Sequence, residues 1–344
     1  MKKQTRSGKA CCSALEERFE VIRVLGSGTS GSLVACKTSH AHCPIPSNNR
    51  RIELKASGLL HMAVKLLRHA FPRGKQLYPK RGTSSTGIGI DEDACIRHEI
   101  DMMRAVQGSE NVLPLHSFDS SDGFAHLITQ FFSEGSLLDI VLRNIHSQRQ
   151  AKGGKAATAK PLLPEPDTAA VVASVANALV LCHSHGLVHR DVKLENVFVH
   201  DKVTASDTAR TCSSKRRNGP LVNSSKKKLL QKEDIFLADF GVADLLAPQE
   251  PVLKGHAGTP MYMAPEVLQG RPYDHHADIW SLGALMHLLL TGLPLPAHGK
   301  PHPLVQDYGA WDLLVGMLSS NPADRLTAEQ VLSRGWIATW VSSS

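Results

Sequence analysis

The run His189-Arg190-Asp191-Val192-Lys193-Leu194-Glu195-Asn196, followed downstream by Asp239-Phe240-Gly241, carries the groups that phosphoryl transfer requires. Moving a phosphoryl group asks little covalent chemistry of a protein. It needs a carboxylate to orient or deprotonate the attacking hydroxyl, oxygen ligands for magnesium, and cations near the charge that develops. Asp191 can supply the carboxylate, Asn196 and Asp239 the metal ligands, and Lys193 the cation.

Such groups must be held by the elements around them. Phe19 to Leu25 alternates like a strand and runs into Gly26-Ser27-Gly28-Thr29-Ser30-Gly31-Ser32-Leu33. Glycines let backbone approach phosphates closely, because no side chain intervenes and positive φ is tolerated. Alone, that pattern also fits many tight turns. Strand character resumes through Val34, Ala35 and Cys36. This predicts a hairpin, where a dinucleotide-binding unit would run into a helix. Met62-Ala63-Val64-Lys65-Leu66-Leu67 is an apolar strand with one lysine, whose stem could simply snorkel to water. Between Asp91 and Val106, Ile96, Ile100 and Met103 fall at i, i+4 and i+7, which predicts an amphipathic helix. Asp91, Glu92 and Asp93 suit its positive N-terminal end.

Three further patterns lie downstream. Gly258-Thr259-Pro260-Met261-Tyr262-Met263-Ala264-Pro265-Glu266 reads as a turn leading into a short helix. Asp278-Ile279-Trp280-Ser281-Leu282-Gly283 opens an apolar helix running to about Thr291, stopped by Gly292 and Pro294. In Asp324-Arg325-Leu326-Thr327-Ala328-Glu329-Gln330, Thr327 and Gln330 make a capping-box pattern for the last helix.

In this order, over roughly residues 19 to 338, these landmarks resemble the eukaryotic protein kinases of the serine/threonine type. A weaker likeness is to the calmodulin-kinase and checkpoint-kinase group. The resemblance implies an α+β, bilobal fold. A small β-rich lobe with one long helix would cover residues 19–130, and a larger, mostly helical lobe residues 131–338, with a hinge near Thr129 to Gly135. It implies transfer of the γ-phosphate of ATP to Ser/Thr hydroxyls of protein substrates, with Mg2+, or Mn2+ in its place.

Carried over residue by residue, Leu25, Gly26, Gly28, Gly31 and Leu33 would cover the nucleotide and its phosphates. Lys65 would hold the phosphates and be fixed by Glu99 on the helix, although a solitary helical glutamate ordinarily faces solvent. Ala63 and Phe198 would sandwich the adenine, with Thr129 as the gatekeeper. Asp191 would be the base, Lys193 would sit near the transferring group, and Asn196 and Asp239 would hold the metal. Thr259 would belong to the substrate turn, and Glu266 would pair with Arg325. Lys193 and Thr259 match the serine/threonine pattern; the Ala-Pro-Glu segment favours a protein substrate. The alternative is a pseudokinase scaffold acting by protein–protein interaction. Such chains usually lose one of the positions that Lys65, Asp191 and Asp239 occupy here.

Departures from the pattern bear on specificity and control. Leu194 stands where many members have proline, and Ser136 and Leu288 stand where strongly basophilic members carry glutamate, so a preference for arginine before the target is not supported. Val242 to Gly258 contains no Ser, Thr or Tyr. This predicts activity without a phosphate in that loop, or switching by a partner or by phosphorylation elsewhere.

Composition bounds the remainder. Seven cysteines, an odd set without a Cys-x-x-Cys, fit a reducing interior. Eighteen histidines show no clear zinc spacing. No stretch reads as the ~20 apolar residues of a membrane span, and the basic start lacks the apolar run of a signal peptide. Residues 1–18 are expected to be a disordered basic tail and 339–344 a second tail; Cys11-Cys12 beside basic residues leave acylation open. Insertions at 40–60, 71–90, 146–166 and 201–233 are expected to be surface loops, and a helix is expected from about Asp167 to Gly186. The fourth insertion holds nine Lys or Arg against three acids, most of the chain's net +7. A nucleic-acid-binding reading therefore applies at most to that loop. Its clusters Lys215-Arg216-Arg217 and Lys226-Lys227-Lys228 suit an import factor or an acidic partner, or are a solvated loop without one, and the expected location is cytoplasmic and/or nuclear.

Overall fold

The computed structural model describes residues 19–28, 31–38, 61–68, 92–121, 124–130, 132, 134–151, 160–200, 230–231 and 234–341. The tail at 1–18, the insertions at 40–60 and 71–90, and nearly all of 201–233 lie outside the described residues. So do the side chains of Leu25, Leu33, Ala63 and Lys65. The chain divides into two compact units. One holds the residues up to Gly108 together with Leu113–Phe131; the other holds Ser109–Val112 and everything from Phe132 onward.

Among the described residues, the first unit is an antiparallel five-stranded sheet in the order β1-β2-β3-β5-β4, with one helix. Its strands are β1 (Phe19–Gly28), β2 (Gly31–Thr38), β3 (His61–Arg68), β4 (Leu115–Ser121) and β5 (Phe124–Gln130). The glycine-rich segment is a hairpin, with Gly26 opposite Leu33 and Gly28 opposite Gly31. Lys65 on β3 sits in register between Leu33 and Leu127, and Ala63 between Ala35 and Thr129. Helix α1 (Glu92–Ala105) packs on β4. Its apolar stripe of Ile96, Ile100 and Met103 is buried, as the spacing predicts. Glu99 departs from the ordinary solvated glutamate: it is only 5% exposed, on the same inward face.

The second unit is mostly helical: α2 (Leu137–Ala151), α3 (Glu165–Ser184), α4 (Pro265–Leu268), α5 (His276–Thr291), α6 (Trp311–Met317), α7 (Ala328–Leu332) and α8 (Gly335–Val341). Four short strands make two ribbons: β6 (Leu187–Val188) with β9 (Asp244–Leu245), and β7 (Val197–Val199) with β8 (Ile235–Leu237). Helix α2 starts at a local cap. Ser136 donates from both its backbone N–H and its hydroxyl to Asp139 Oδ2, at 2.8 Å each. It then runs through residues 146–151, where the third insertion was expected to begin as a loop. Residues 152–159 lie outside the described residues.

Helix α3 is the central element, packing against α5, α7, α8 and β8. It starts two residues earlier than expected, behind Pro164, and its last turn gives way to Gly186 in the left-handed region at φ 68°. By length and composition it is apolar enough to cross a membrane, which corrects the sequence reading that no stretch is. Here its residues are buried by the surrounding helices instead, from Ala169 to Val175 almost without exposure. Helix α5 is also buried nearly throughout and ends on Gly292, at φ 71°, whose N–H donates to Leu288 O at 2.8 Å. The capping box of α7 forms as its spacing predicts. Gln330 N–H donates to Thr327 Oγ1 at 3.3 Å and Thr327 N–H to Gln330 Oε1 at 3.0 Å.

Candidate active site

The site in the second unit is built on the two ribbons. Strand β6 delivers the chain into His189-Arg190-Asp191, a short 3-10 turn covers Leu194–Asn196, and β7 carries it away. Pairing of β7 with β8 places Val197 opposite Leu237. Ala238 N–H then donates to Asn196 O at 2.9 Å, so Asn196 and the Asp239 turn become neighbours although the fourth insertion separates them in sequence. His189 ties the same two segments: its Nε2 lies 3.1 Å from Ala238 O, and its ring meets Phe240 edge-on at 4.9 Å.

Arg190 and Asp239 are the two non-glycine residues with positive φ among the described residues, at 69° and 65°. A left-handed backbone costs a side-chain-bearing residue roughly 1–2 kcal/mol, so the surroundings must enforce it. For Arg190 the enforcing group is Asp278, a fully buried carboxylate on α5. Its Oδ2 accepts from His189 N–H and its Oδ1 from Arg190 N–H, both at 2.8 Å, and His183 Nε2 lies 3.0 Å from Oδ2. Burial pushes the Asp278 carboxyl up, but the hydrogen bond and charge of His183, with His189, outweigh it and hold the group below the usual carboxylate range. Sequence reasoning quoted Asp278 only as a landmark and gave it no role. The available signal was a lone carboxylate inside an otherwise apolar helix, a charge that must be paired when buried.

Around Asp191 the side chains converge. Lys193 Nζ lies 2.7 Å from Asp191 Oδ2 and donates to Thr259 Oγ1 at 2.9 Å; the Thr259 hydroxyl donates to Asp191 Oδ1 at 2.8 Å. Asn196 Nδ2 donates to Asp191 O at 2.9 Å and to Asp191 Oδ2 at 3.1 Å. Gly258, at φ 100°, lets this turn approach: a Cβ there would meet Arg190 O at 2.1 Å. Asn196 and Asp239 offer an amide oxygen and a carboxylate, the hard donors that suit Mg2+. Committing the Asn196 amide nitrogen to Asp191 turns its oxygen the other way, so this donor set fits the ion.

The other predicted residues fall elsewhere. Phe198, half-buried on β7, has its ring 5.5 Å from Phe132, which lies 5.2 Å from Phe236. Thr129 is buried on β5 in the first unit. Glu266 and Arg325 form a bidentate pair at 2.7 and 3.0 Å, almost wholly buried, with Arg325 also donating to His276 O and Ser319 O. That pair ties the start of α4 to the segment before α7. Asp274, His275 and His276 bring possible metal-ligand atoms within 4.8 Å of one another. Their geometry serves the start of α5 instead: Asp274 Oδ1 accepts from the His276 N–H at 3.0 Å and lies 2.9 Å from its ring Nδ1. The His275 and His276 rings stack at 4.3 Å, which aims their nitrogens along separate planes and suits one shared ion poorly.

The comparisons with known proteins identify the family to which this fold and arrangement belong. The family model "Protein kinase domain" matches residues 84–337. The chain belongs to the protein kinase family and has its bilobal α+β fold. It is 30% identical over 279 residues to calcium-dependent protein kinase 14 of Arabidopsis thaliana, across 75% of the chain and 43% of that protein. It is 29% identical over 272 residues to calcium-dependent protein kinase 20 of Oryza sativa subsp. japonica, across 73% of the chain and 40% of that protein. These relatives fit the calmodulin-kinase likeness read from the sequence. The alignments span less than half the length of either relative.

Proposed function

We propose that this chain transfers the γ-phosphoryl group of ATP to serine or threonine hydroxyls of protein substrates. The observation that carries the reading is the contact between the Thr259 hydroxyl and Asp191 Oδ1 at 2.8 Å, with Lys193 bridging both residues. Asp191 thus already receives an alcohol of the kind it would have to process. A substrate hydroxyl placed there is oriented for attack and gives up its proton to the carboxylate, while Lys193 faces the charge that develops. Asn196 and Asp239 are the residues that would hold Mg2+, which when bound neutralises phosphate charge. The same oxygen donors accept Mn2+.

The remaining roles follow the family pattern. Leu25, Gly26, Gly28, Gly31 and Leu33 cover the nucleotide, Lys65 held by Glu99 meets its phosphates, and Ala63, Thr129 and Phe198 contact the adenine. The burial of Glu99 supports this, because a buried carboxylate needs a partner. The calcium dependence in the relatives' names is not carried over, since less than half of each relative is matched.

The test is incorporation of radiolabelled phosphate from ATP into generic protein substrates, followed by phosphoamino-acid analysis. Asp191→Asn should lower turnover by about 10²–10⁴-fold, and Lys65→Met and Asp239→Asn should do comparable damage with the fold intact. Phosphotyrosine as the main product would overturn the acceptor class. Incorporation unchanged in Asp191→Asn would assign the signal to another enzyme.

The basic insertion at 201–233 is proposed as a docking element for an import factor or acidic partner, with the protein in the cytoplasm and/or nucleus. Its composition supports this, and Leu230 N–H, near its end, is tied to Asp167 Oδ1 at 2.8 Å. Serine at Lys215, Arg216, Arg217, Lys226, Lys227 and Lys228 should shift a tagged protein's distribution or its partners; no shift in either would leave a solvated loop.

A further inference from the structure

In kinases ordered by loop phosphorylation, the new phosphate pairs with arginine and the activation segment settles around that pair. Here Val242 to Gly258 offers no hydroxyl to phosphorylate, yet Arg190 is engaged. Its Nε donates to Val242 O, and its Nη2 lies 3.5 Å from both Ala243 O and Asp244 Oδ2. The guanidinium therefore grips the three residues that follow Asp239-Phe240-Gly241.

Asp244 is placed for this by backbone structure. Pairing of β9 with β6 sets it opposite Val188, two positions before Arg190. Leu245 N–H donates to Asp244 Oδ1 at 3.0 Å, which orients the carboxylate. The Arg190 and Asp244 side chains are 15% and 13% exposed, so water screens the pair less than it screens a surface ion pair. Backbone contacts tether the rest of the segment. Leu253 and Tyr273 exchange backbone hydrogen bonds at 2.6 and 3.0 Å, and Gly258 packs against the Arg190 carbonyl.

We propose that Asp244 is a positioning residue that serves as the permanent counter-ion of Arg190, in the place a loop phosphate would fill, so that the activation segment is ordered without phosphorylation. This rests on the kinase reading above. A phosphate would bring about −1.5 to −2 of charge; a carboxylate brings −1, always present. The arrangement adds an arginine tie between the segments that carry Asp191 and Asp239, with no covalent switch.

The test uses the full chain made in bacteria, treated with phosphatase and verified as unphosphorylated by mass spectrometry. The untreated and treated proteins should have equal kcat. Asp244→Asn should lower kcat roughly tenfold or more with KM for ATP within about twofold, and Asp244→Glu should restore most of it. Adding Arg190→Gln to Asp244→Asn should cost little beyond either change alone, since the two groups act as a unit. This coupling is read from ratios of kcat, so it stands even if a single variant also melts earlier. Loss of activity on phosphatase treatment, or Asp244→Asn turning over like the wild type, would overturn the proposal while leaving the kinase reading in place. A wild-type protein with no ATP-dependent transfer at all would instead sink the kinase reading, and this one with it.

Discussion

Asp278→Asn is the most searching single change to the catalytic loop. The asparagine keeps the shape of the side chain but replaces one carboxylate oxygen with an NH2 group. The carboxylate accepts from two backbone N–H groups at 2.8 Å and faces His183 Nε2 at 3.0 Å, with no exposure to water. Whichever way the amide turns, a buried donor faces another donor. Hydrogen bonds to a charged acceptor are worth about 1.5–3 kcal/mol each, and a buried donor left unpaired costs about 1–3 kcal/mol. A net loss of about 3 kcal/mol follows, which for a unit of this size lowers Tm by roughly 6–12 °C. The left-handed Arg190, at φ 69°, is the place where strain is released, and Asp191 is the next residue. A displacement of about 1 Å at a reacting group costs on the order of 10²-fold in rate. Thermal melting followed by circular dichroism, with kcat on a short peptide, reads both effects. An asparagine variant with wild-type Tm and kcat would show that this carboxylate does not hold the loop.

Arg325→Met should cost about 3–5 kcal/mol, because it removes the bidentate partner and leaves Glu266 an uncompensated buried charge. The urea midpoint should fall at constant m-value, and a midpoint within error of wild type would refute it. His287 supplies a pH dependence: burial pushes its pKa down to about 4, with His302 adding to the shift and the Leu293 carbonyl opposing it. Its Nε2 accepts from His302 N–H at 3.0 Å, so the ring is held neutral. Between its ordinary value near 6.5 and about 4, the unfolded chain binds a proton that the folded chain refuses, so stability should fall as pH drops through that window. The fall should be shallower in His287→Asn than in wild type; identical slopes would show that other groups carry it.

Much of this protein is legible in its sequence wherever the determining forces are local. The α7 capping box needs only Thr327 and Gln330 three positions apart, and it forms. The stripe of Ile96, Ile100 and Met103 names the inward face of α1 because helical period alone puts them there. Local reading placed α3 to within two residues but missed how apolar it is, and it missed the helical end of α2. Helix α3 has little amphipathic contrast, since neighbouring helices cover it all round, and it passes for a membrane span by composition. Residues 146–151 were expected to be loop because the family pattern has a surface turn there, but arginine and glutamine are good helix formers and extend α2.

Residue types and short spacings by themselves pointed to the chemistry: a carboxylate, an amide, a second carboxylate and a lysine, groups that phosphoryl transfer calls for, in an order that resembles the protein kinases. Only the tertiary structure decided how those groups meet. The β7–β8 ribbon brings Asn196 to the Asp239 turn, and the Gly258 contact lays Thr259 on Asp191. Asp278, from α5, holds the backbone of Arg190, and Asp244 meets its side chain. The reason is physical. A local pattern stabilises itself within a few residues, whereas a single buried charge has no periodicity to betray its partner, and which donors reach it depends on how distant segments pack.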